Sequence, residues 1–199
     1  ANYIIKNTTE EEKNRGVVIA HDNRHMSREF CIETASTLAA CGIKAYIFDS
    51  LRTTPELSFA IRNLNAISGI VITASHNPPE YNGYKVYWED GAQVMPDIAN
   101  AITEEINSIV DYSTIPTLTD ENKDLIIMLD EKQDTDFIEA VKKQVIRKEL
   151  VNEVGKEFKI VYTPLCGTGN IPIRIALKEV GFENVIVVKD EEKPDPNFA

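Results

Sequence analysis

Short apolar runs alternate with stretches of helical period along this chain, and that alternation constrains its fold more than any other feature. Val17-Val18-Ile19-Ala20, Ala45-Tyr46-Ile47-Phe48 and Gly69-Ile70-Val71-Ile72-Thr73 each read as a strand. Between the first two, Phe30, Cys31, Thr34, Ala35, Leu38 and Ala39 mark one helical face, with Ser27 as the expected N-cap and Gly42 as the stop. Between the second and third, Thr54-Pro55 opens a helix with Leu57, Ala60, Ile61 and Leu64 facing inward. Residues 84–88 form a short strand, and Asp90-Gly91 is a hairpin turn signal. Ile98, Ile102, Ile106 and Ile109 then stand at helical spacing. The pattern predicts a layered α/β domain.

The second half repeats the plan. Residues 111–133 lack clean periodicity and are rich in Thr, Asp and Glu, so they are expected to be a loosely structured boundary. That divides the chain into a first domain over 1–132 and a linker helix with an incomplete second domain over 133–199. A helix is expected over about 134–150, with Phe137, Ile138, Val141 and Val145 inward. A strand over 158–162, a helix over 172–180 ended by Gly181, and a strand over 185–188 follow. Residues 16–48 and 158–188 thus share one order: strand, loop, helix, glycine, strand. The chain begins without methionine and stops at Asp195-Pro196-Asn197-Phe198-Ala199, just after a strand, and is read as an N-terminal fragment of a larger protein.

Composition sets outer limits. A 43% hydrophobic content is that of an ordinary globular protein. A net charge of −11 argues against nucleic acid and against anionic membranes as partners, since both demand Lys and Arg. It leaves room for a small phosphorylated ligand in a cleft that focuses local positive charge. Cys31, Cys41 and Cys166 form no C-x-x-C pair, which predicts reduced thiols and a cytoplasmic setting. The N-terminus has no signal-peptide core, and no apolar run is long enough to span a bilayer.

The chemistry concentrates in Thr73-Ala74-Ser75-His76-Asn77-Pro78-Pro79-Glu80-Tyr81-Asn82-Gly83-Tyr84-Lys85. A serine is held there on a Pro- and Gly-punctuated loop at the carboxyl end of a strand, the edge where open α/β sheets bind ligands. A bare S-H-N-P would be a turn. A serine hydrolase would need a G-x-S-x-G elbow, which is absent, and a base better placed than the adjacent His76. The full stretch resembles the phosphoserine loop of the α-D-phosphohexomutases, the phosphoglucomutase/phosphomannomutase family. That family's pattern runs T-A/G-S-H-N-P, then N-G and a lysine.

The resemblance implies an α/β/α domain with a mixed sheet, followed by the start of a second, similar domain. It implies that Ser75 is the phosphoryl carrier, and a magnesium ligand through its phosphate. The reaction implied is covalent catalysis with the electrostatic demands of phosphoryl transfer. Phosphoserine gives its phosphoryl group to a hexose monophosphate, a bisphosphate forms, and a phosphoryl group returns to the serine. Mg2+ is the implied cofactor and glucose 1,6-bisphosphate the implied activator. Lys85, ten residues beyond Ser75, is expected to touch the transferring group as a point charge. His76 and Asn77 are expected to shape the loop or hydrogen-bond the phosphate. Arg24, in a matching Asp-x-Arg at the end of the first strand, is expected to hold the loop or its phosphate. Asn82-Gly83 is the expected return turn.

Other features stay with plainer readings. His21 and His25 straddle a strand end and a loop, so no metal pair is expected. Gly167-Thr168-Gly169 reads as a tight strand–helix turn, and Cys166 stands where the family often has histidine in T-P-L-H-G-T. Tyr81, Tyr84, Tyr87 and Trp88 read as packing. The family's D-G-D-x-D-R magnesium loop, G-E-x-S-G sugar loop and N-terminal G-x-R-G do not occur in this sequence. The fragment alone is therefore expected to be inactive. Residues 84–88 and Gly91-Ala92-Gln93 look closer to the phosphoglucomutase/phosphopentomutase branch, which implies interconversion of glucose 1-phosphate and glucose 6-phosphate. Phosphopentomutase, phosphomannomutase and a non-catalytic phosphosugar-binding protein are the alternatives.

Overall fold

The computed structural model describes residues 1–198. Helices α1 (Asn2–Asn7) and α2 (Glu10–Lys13) lead into β1 (Val17–His21), α3 (Ser27–Ala40), β2 (Ala45–Ile47), α4 (Thr54–Asn63) and β3 (Ser68–Ile72). β4 (Tyr84–Trp88), α5 (Pro96–Asn107), β5 (Ile126–Met128) and α6 (Glu131–Lys142) follow. The chain continues through α7 (Lys148–Val154), β6 (Ile160–Tyr162), α8 (Asn170–Val180) and β7 (Val185–Val187).

Five strands form one mixed sheet in the order β4-β3-β1-β2-β5, parallel except for β4, which runs antiparallel to β3. All five residues of β1 and of β3 are buried, because helices cover both faces. Strand side chains alternate between faces. Val17 and Ile19 therefore join Cys31, Ala35 and Leu38 of α3 in one core cluster, while Val18 and Ala20 join Leu57, Ala60 and Ile61 of α4 in the other. Each large apolar side chain taken from water in this way contributes roughly 1.5–3 kcal/mol. The start of α4 is fixed by a capping box, in which Thr53 and Glu56 bond each other's backbone N–H, with Pro55 in the first turn.

Several expectations need correction. Ser27 does not cap α3; Met26 holds that position at φ 63°, and the Ser27 hydroxyl donates to Asp22 Oδ1 at 2.8 Å. Phe30 is exposed, because the buried stripe runs through Cys31, Ala35, Leu38 and Ala39 instead. Ile109 lies beyond the end of α5, and that helix buries none of its residues. The stretch 111–133, expected to be a loosely structured boundary, contains β5, which extends the sheet beside β2. The single helix expected over 134–150 is two, α6 and α7, separated by residues 143–147.

α6 is bound to the first layer at three places. Arg52, just after β2, donates to both carboxylate oxygens of Asp134 at 2.8 and 2.7 Å. Phe59 and Phe137 meet edge to face at 5.6 Å. Asn63 Nδ2 donates to Gln133 Oε1 at 3.1 Å. Beyond it, β6 and β7 pair in parallel around α8, with Gly181 ending the helix at φ 122°. The order β1-α3-β2 and the order β6-α8-β7 are the same unit, as the sequence plan predicts.

Candidate active site

Topology brings two loops together. β1 and β3 are parallel neighbours, with His21 opposite Ile72 at their carboxyl ends. The segments that leave them, residues 22–26 and 73–83, therefore emerge side by side at the sheet edge that favours ligand binding.

The base of the serine loop is pinned. Ile72 pairs with Tyr84, and the Thr73 N–H donates to the Gly83 carbonyl at 3.0 Å. A Cβ at residue 83 would lie 2.7 Å from the Thr73 oxygen, so the approach requires glycine. Inside the loop, Asn77 N–H donates to the Ala74 carbonyl at 3.0 Å and Tyr81 N–H to the Pro78 carbonyl at 3.1 Å. Ser75 sits in the left-handed region at φ 55°, a strained place for a residue with a side chain. Its N–H donates to Thr73 Oγ1 at 3.0 Å, and the residue is exposed to solvent.

Arg24 lies beneath the loop and is only 4% exposed. Its Nη1 donates to the Pro78 and Tyr81 carbonyls at 2.8 and 2.9 Å, and its Nη2 to those of Ser75 and Asn77 at 3.1 and 2.6 Å. The planar guanidinium suits four acceptors spread along one loop. Nε lies 3.5 Å from Asp22 Oδ2, near enough for charge attraction but outside hydrogen-bond geometry. Of the two roles expected for Arg24, this geometry is that of holding the loop. Asn82 adds a second tie: its Nδ2 donates to the His25 carbonyl at 3.0 Å and to Ser27 Oγ at 2.9 Å.

Lys85 Nζ donates to Ser75 Oγ at 2.5 Å, so the ten-residue offset brings the two side chains together. His76 and Asn77 are exposed, and their side chains make no hydrogen bond among the described residues. His21 is buried with Nδ1 2.7 Å from the Asp22 carbonyl and Nε2 without a partner, and burial pushes its imidazole below the ordinary value. His25 is turned elsewhere, its Nε2 2.9 Å from Asn197 Oδ1.

Sequence reasoning named Asp22 and Asn82 only as parts of motifs and gave Asn23 no role. Asp22 Oδ1 accepts from the Arg24 N–H at 2.9 Å as well as from Ser27. Asn23 Nδ2 donates to the carbonyls of Cys166 and Asp195 at 2.7 and 2.8 Å. The described residues contain no group of three or more His, Cys, Asp or Glu set to hold a metal. A separate cleft of about 510 Å³ opens between the end of β2, α6 and the start of α8, lined by residues including Arg52, Asp134 and Ile171. Residues 73–83 of the serine loop do not line it.

Residues 1–113 match the model of phosphoglucomutase/phosphomannomutase alpha/beta/alpha domain I, and residues 135–199 that of domain II. A phosphoglucomutase of Staphylococcus haemolyticus is 41% identical over 203 residues, covering 100% of this chain and 35% of its own length. One from Staphylococcus aureus strain MRSA252 is 39% identical, covering 95% of this chain and 34% of its own. The chain thus spans roughly a third of the curated relatives it matches. A crystal structure from Thermus thermophilus, assigned as a phosphomannomutase, superposes with a TM-score of 0.73 at 28% identity, over 92% of this chain and 38% of that one. The open form of the Paramecium phosphoglucomutase parafusin shares the fold, with a TM-score of 0.73 at 19% identity, over 98% of this chain and 40% of that one.

Proposed function

Because the chain belongs to the phosphoglucomutase/phosphomannomutase family, we propose that the longer protein containing it interconverts glucose 1-phosphate and glucose 6-phosphate through a phosphorylated Ser75. The observation that carries this reading is the 2.5 Å contact from Lys85 Nζ to Ser75 Oγ, on an exposed loop held from beneath by Arg24. Phosphoserine passes its phosphoryl group to the free hydroxyl of the sugar phosphate, the hydroxyl proton ends on Ser75 Oγ, and a hexose 1,6-bisphosphate results. As the P–O bond to Ser75 breaks, negative charge grows on Oγ, and the Lys85 ammonium beside it stabilises that charge. The bisphosphate turns over, and its other phosphate returns to Oγ. Stabilisation of this kind from a fixed donor is commonly worth on the order of 10²–10³ in rate.

Magnesium, when bound, would draw charge from the phosphoryl oxygens, and the Ser75 phosphate would be its ligand from this chain. Glucose 1,6-bisphosphate activates by reloading Ser75. The free cysteines fit a cytoplasmic setting, and no helix among the described residues is long and apolar enough to cross a membrane. The 199-residue chain alone turns over no substrate, which a coupled assay with magnesium checks directly.

Mass spectrometry of the Ser75 peptide from the longer protein tests the reading, before and after glucose 1,6-bisphosphate with magnesium. Phosphate on Ser75 that is lost to added glucose 1-phosphate supports the mutase. A folded protein whose Ser75 never carries phosphate would refute it and leave a phosphosugar-binding module. Loss to mannose 1-phosphate in preference to glucose 1-phosphate moves the assignment to a phosphomannomutase.

A further inference from the structure

The loop that carries Arg24 is gripped from two sides. Towards the serine loop, Arg24 donates four hydrogen bonds to carbonyls of residues 75–81. Towards the second unit, the side-chain amide of the neighbouring Asn23 donates to the carbonyls of Cys166 and Asp195. His25 Nε2 meets Asn197 Oδ1 at 2.9 Å, and the Arg24 guanidinium lies 5.1 Å from the centre of the Phe198 ring. Three consecutive residues therefore each touch the same strap, residues 195–198.

The strap is anchored to the second unit. Asp195 N–H donates to the Cys166 carbonyl at 3.3 Å, and Cys166 N–H to the Glu191 carbonyl at 2.9 Å. Leu165 and Cys166 both adopt left-handed backbone, at φ 50° and 56°, which turns the Cys166 carbonyl onto Asn23. Non-glycine residues take up that conformation only when surrounding contacts over-determine it. A flat cation such as guanidinium gains from an aromatic ring against one side while its edge donates hydrogen bonds on the other.

We propose that Asn23 and Phe198 are positioning residues through which the second unit sets the conformation of the Ser75 loop. Asn23 fixes the backbone of residues 22–25 to the Cys166 turn, and Phe198 fixes the plane of the Arg24 guanidinium. Arg24 then fixes the four carbonyls that hold Ser75 against Lys85. The two units are thereby coupled: separating the strap from residues 23–25 frees the serine loop. This deepens the mutase reading and rests on it for its catalytic consequence, but the coupling is readable without any turnover.

The experiment uses the longer protein and two variants, Asn23→Ala and Phe198→Leu, which cut the link at independent contacts. Amide hydrogen exchange is followed in peptides covering residues 74–82, 164–169 and 17–21. Both variants are expected to speed exchange in 74–82 on the order of tenfold, as a cooperative local opening would, and to leave 17–21 unchanged. Asn23→Gln, which keeps the two donors, is expected to recover part of the protection. The inference is overturned if 164–169 loosens while 74–82 keeps its protection, since the strap is then only packing between units. It is also overturned if Gln and Ala behave alike at position 23 and Phe198→Leu has no effect. If exchange changes as expected but Ser75 never carries phosphate, the coupling stands and the mutase reading falls.

Discussion

Replacing Arg24 with methionine tests what holds the serine loop. The substitution keeps an unbranched apolar stem of similar reach but removes the donors of four hydrogen bonds. Each lost bond would count about 1 kcal/mol net, and bonds from a charged donor up to about 3 kcal/mol. The acceptors belong to an exposed loop but face a buried side chain, so water that reaches them when the arginine goes offsets only part of that loss. Asp22 retains the residue 24 N–H and Ser27 Oγ, so its carboxylate is not stranded. The balance is a loss of roughly 3 kcal/mol, at the low end for breaking a buried charged contact. Trp88, the only tryptophan of the chain, sits on β4 and reports on the sheet that the loop leaves. In urea unfolding followed by its fluorescence, a loss of about 3 kcal/mol corresponds to a midpoint lower by about 1–2 M. Arg24→Lys should lose about half as much, because one ammonium has three donors and no fork to spread over four carbonyls. If both variants unfold within about 0.2 M of the parent, these bonds do not hold the loop and the account of Arg24 is wrong.

Two further outcomes follow from the neighbourhood of the loop. His21 is buried and neutral, its imidazole held below the ordinary 6.5 by loss of hydration. Below pH 6.5 the unfolded chain takes up a proton that the folded chain refuses, so stability is full above 6.5 and falls as the pH drops towards the lower folded value. Urea midpoints across that window should slope upward with pH in the parent and flatten in His21→Gln; an unchanged slope would place its source elsewhere. Gly83→Ala forces a Cβ to within 2.7 Å of the Thr73 carbonyl, a backbone atom on a pinned strand end. It should cost about 1–3 kcal/mol by thermal unfolding, as overpacking does, and a neutral result would mean that the loop base is free to shift.

What the sequence made legible were features whose cause is local. β1 and β3 are continuous apolar runs because helices cover both sheet faces, and α4 carries its cap and its inward residues within a single short segment. β5 was hidden because Ile126 and Ile127 are only half-buried, Met128 is exposed, and acidic residues flank them; pairing with β2 makes it a strand. The break after α6 was hidden because Val145 continues the apolar period, yet the next residue, Ile146, is 94% exposed and nothing packs there to extend the helix. Ser27 has the side chain of a cap but directs it to Asp22, a choice set by the loop rather than by helix chemistry. The site divides in the same way. Ser75 and Lys85 stand in one motif, singled out by its resemblance to the family's serine loop, and the structure brings their side chains to 2.5 Å. Asn82 and Asn23 act on partners 55 to 172 residues away in sequence, and no local pattern announces such contacts.

The charge around Ser75 runs against that of the whole chain. The sequence carries −11, yet the atoms arranged about the serine include the Lys85 ammonium at 2.5 Å and the Arg24 guanidinium under its carbonyl, with Asp22 as the carboxylate set against Arg24. A phosphate ester brings nearly two negative charges, and an acidic surface would repel it. A buried cation is screened less by salt than an exposed one, so Arg24 contributes a standing positive potential without presenting a donor to solvent. Lys85 supplies the charge that touches Ser75 directly. One arginine thus fixes the loop through its hydrogen bonds and polarises it through its charge. That dual role explains why a lysine in its place, although equally charged, should weaken the loop while leaving the sign of the potential unchanged.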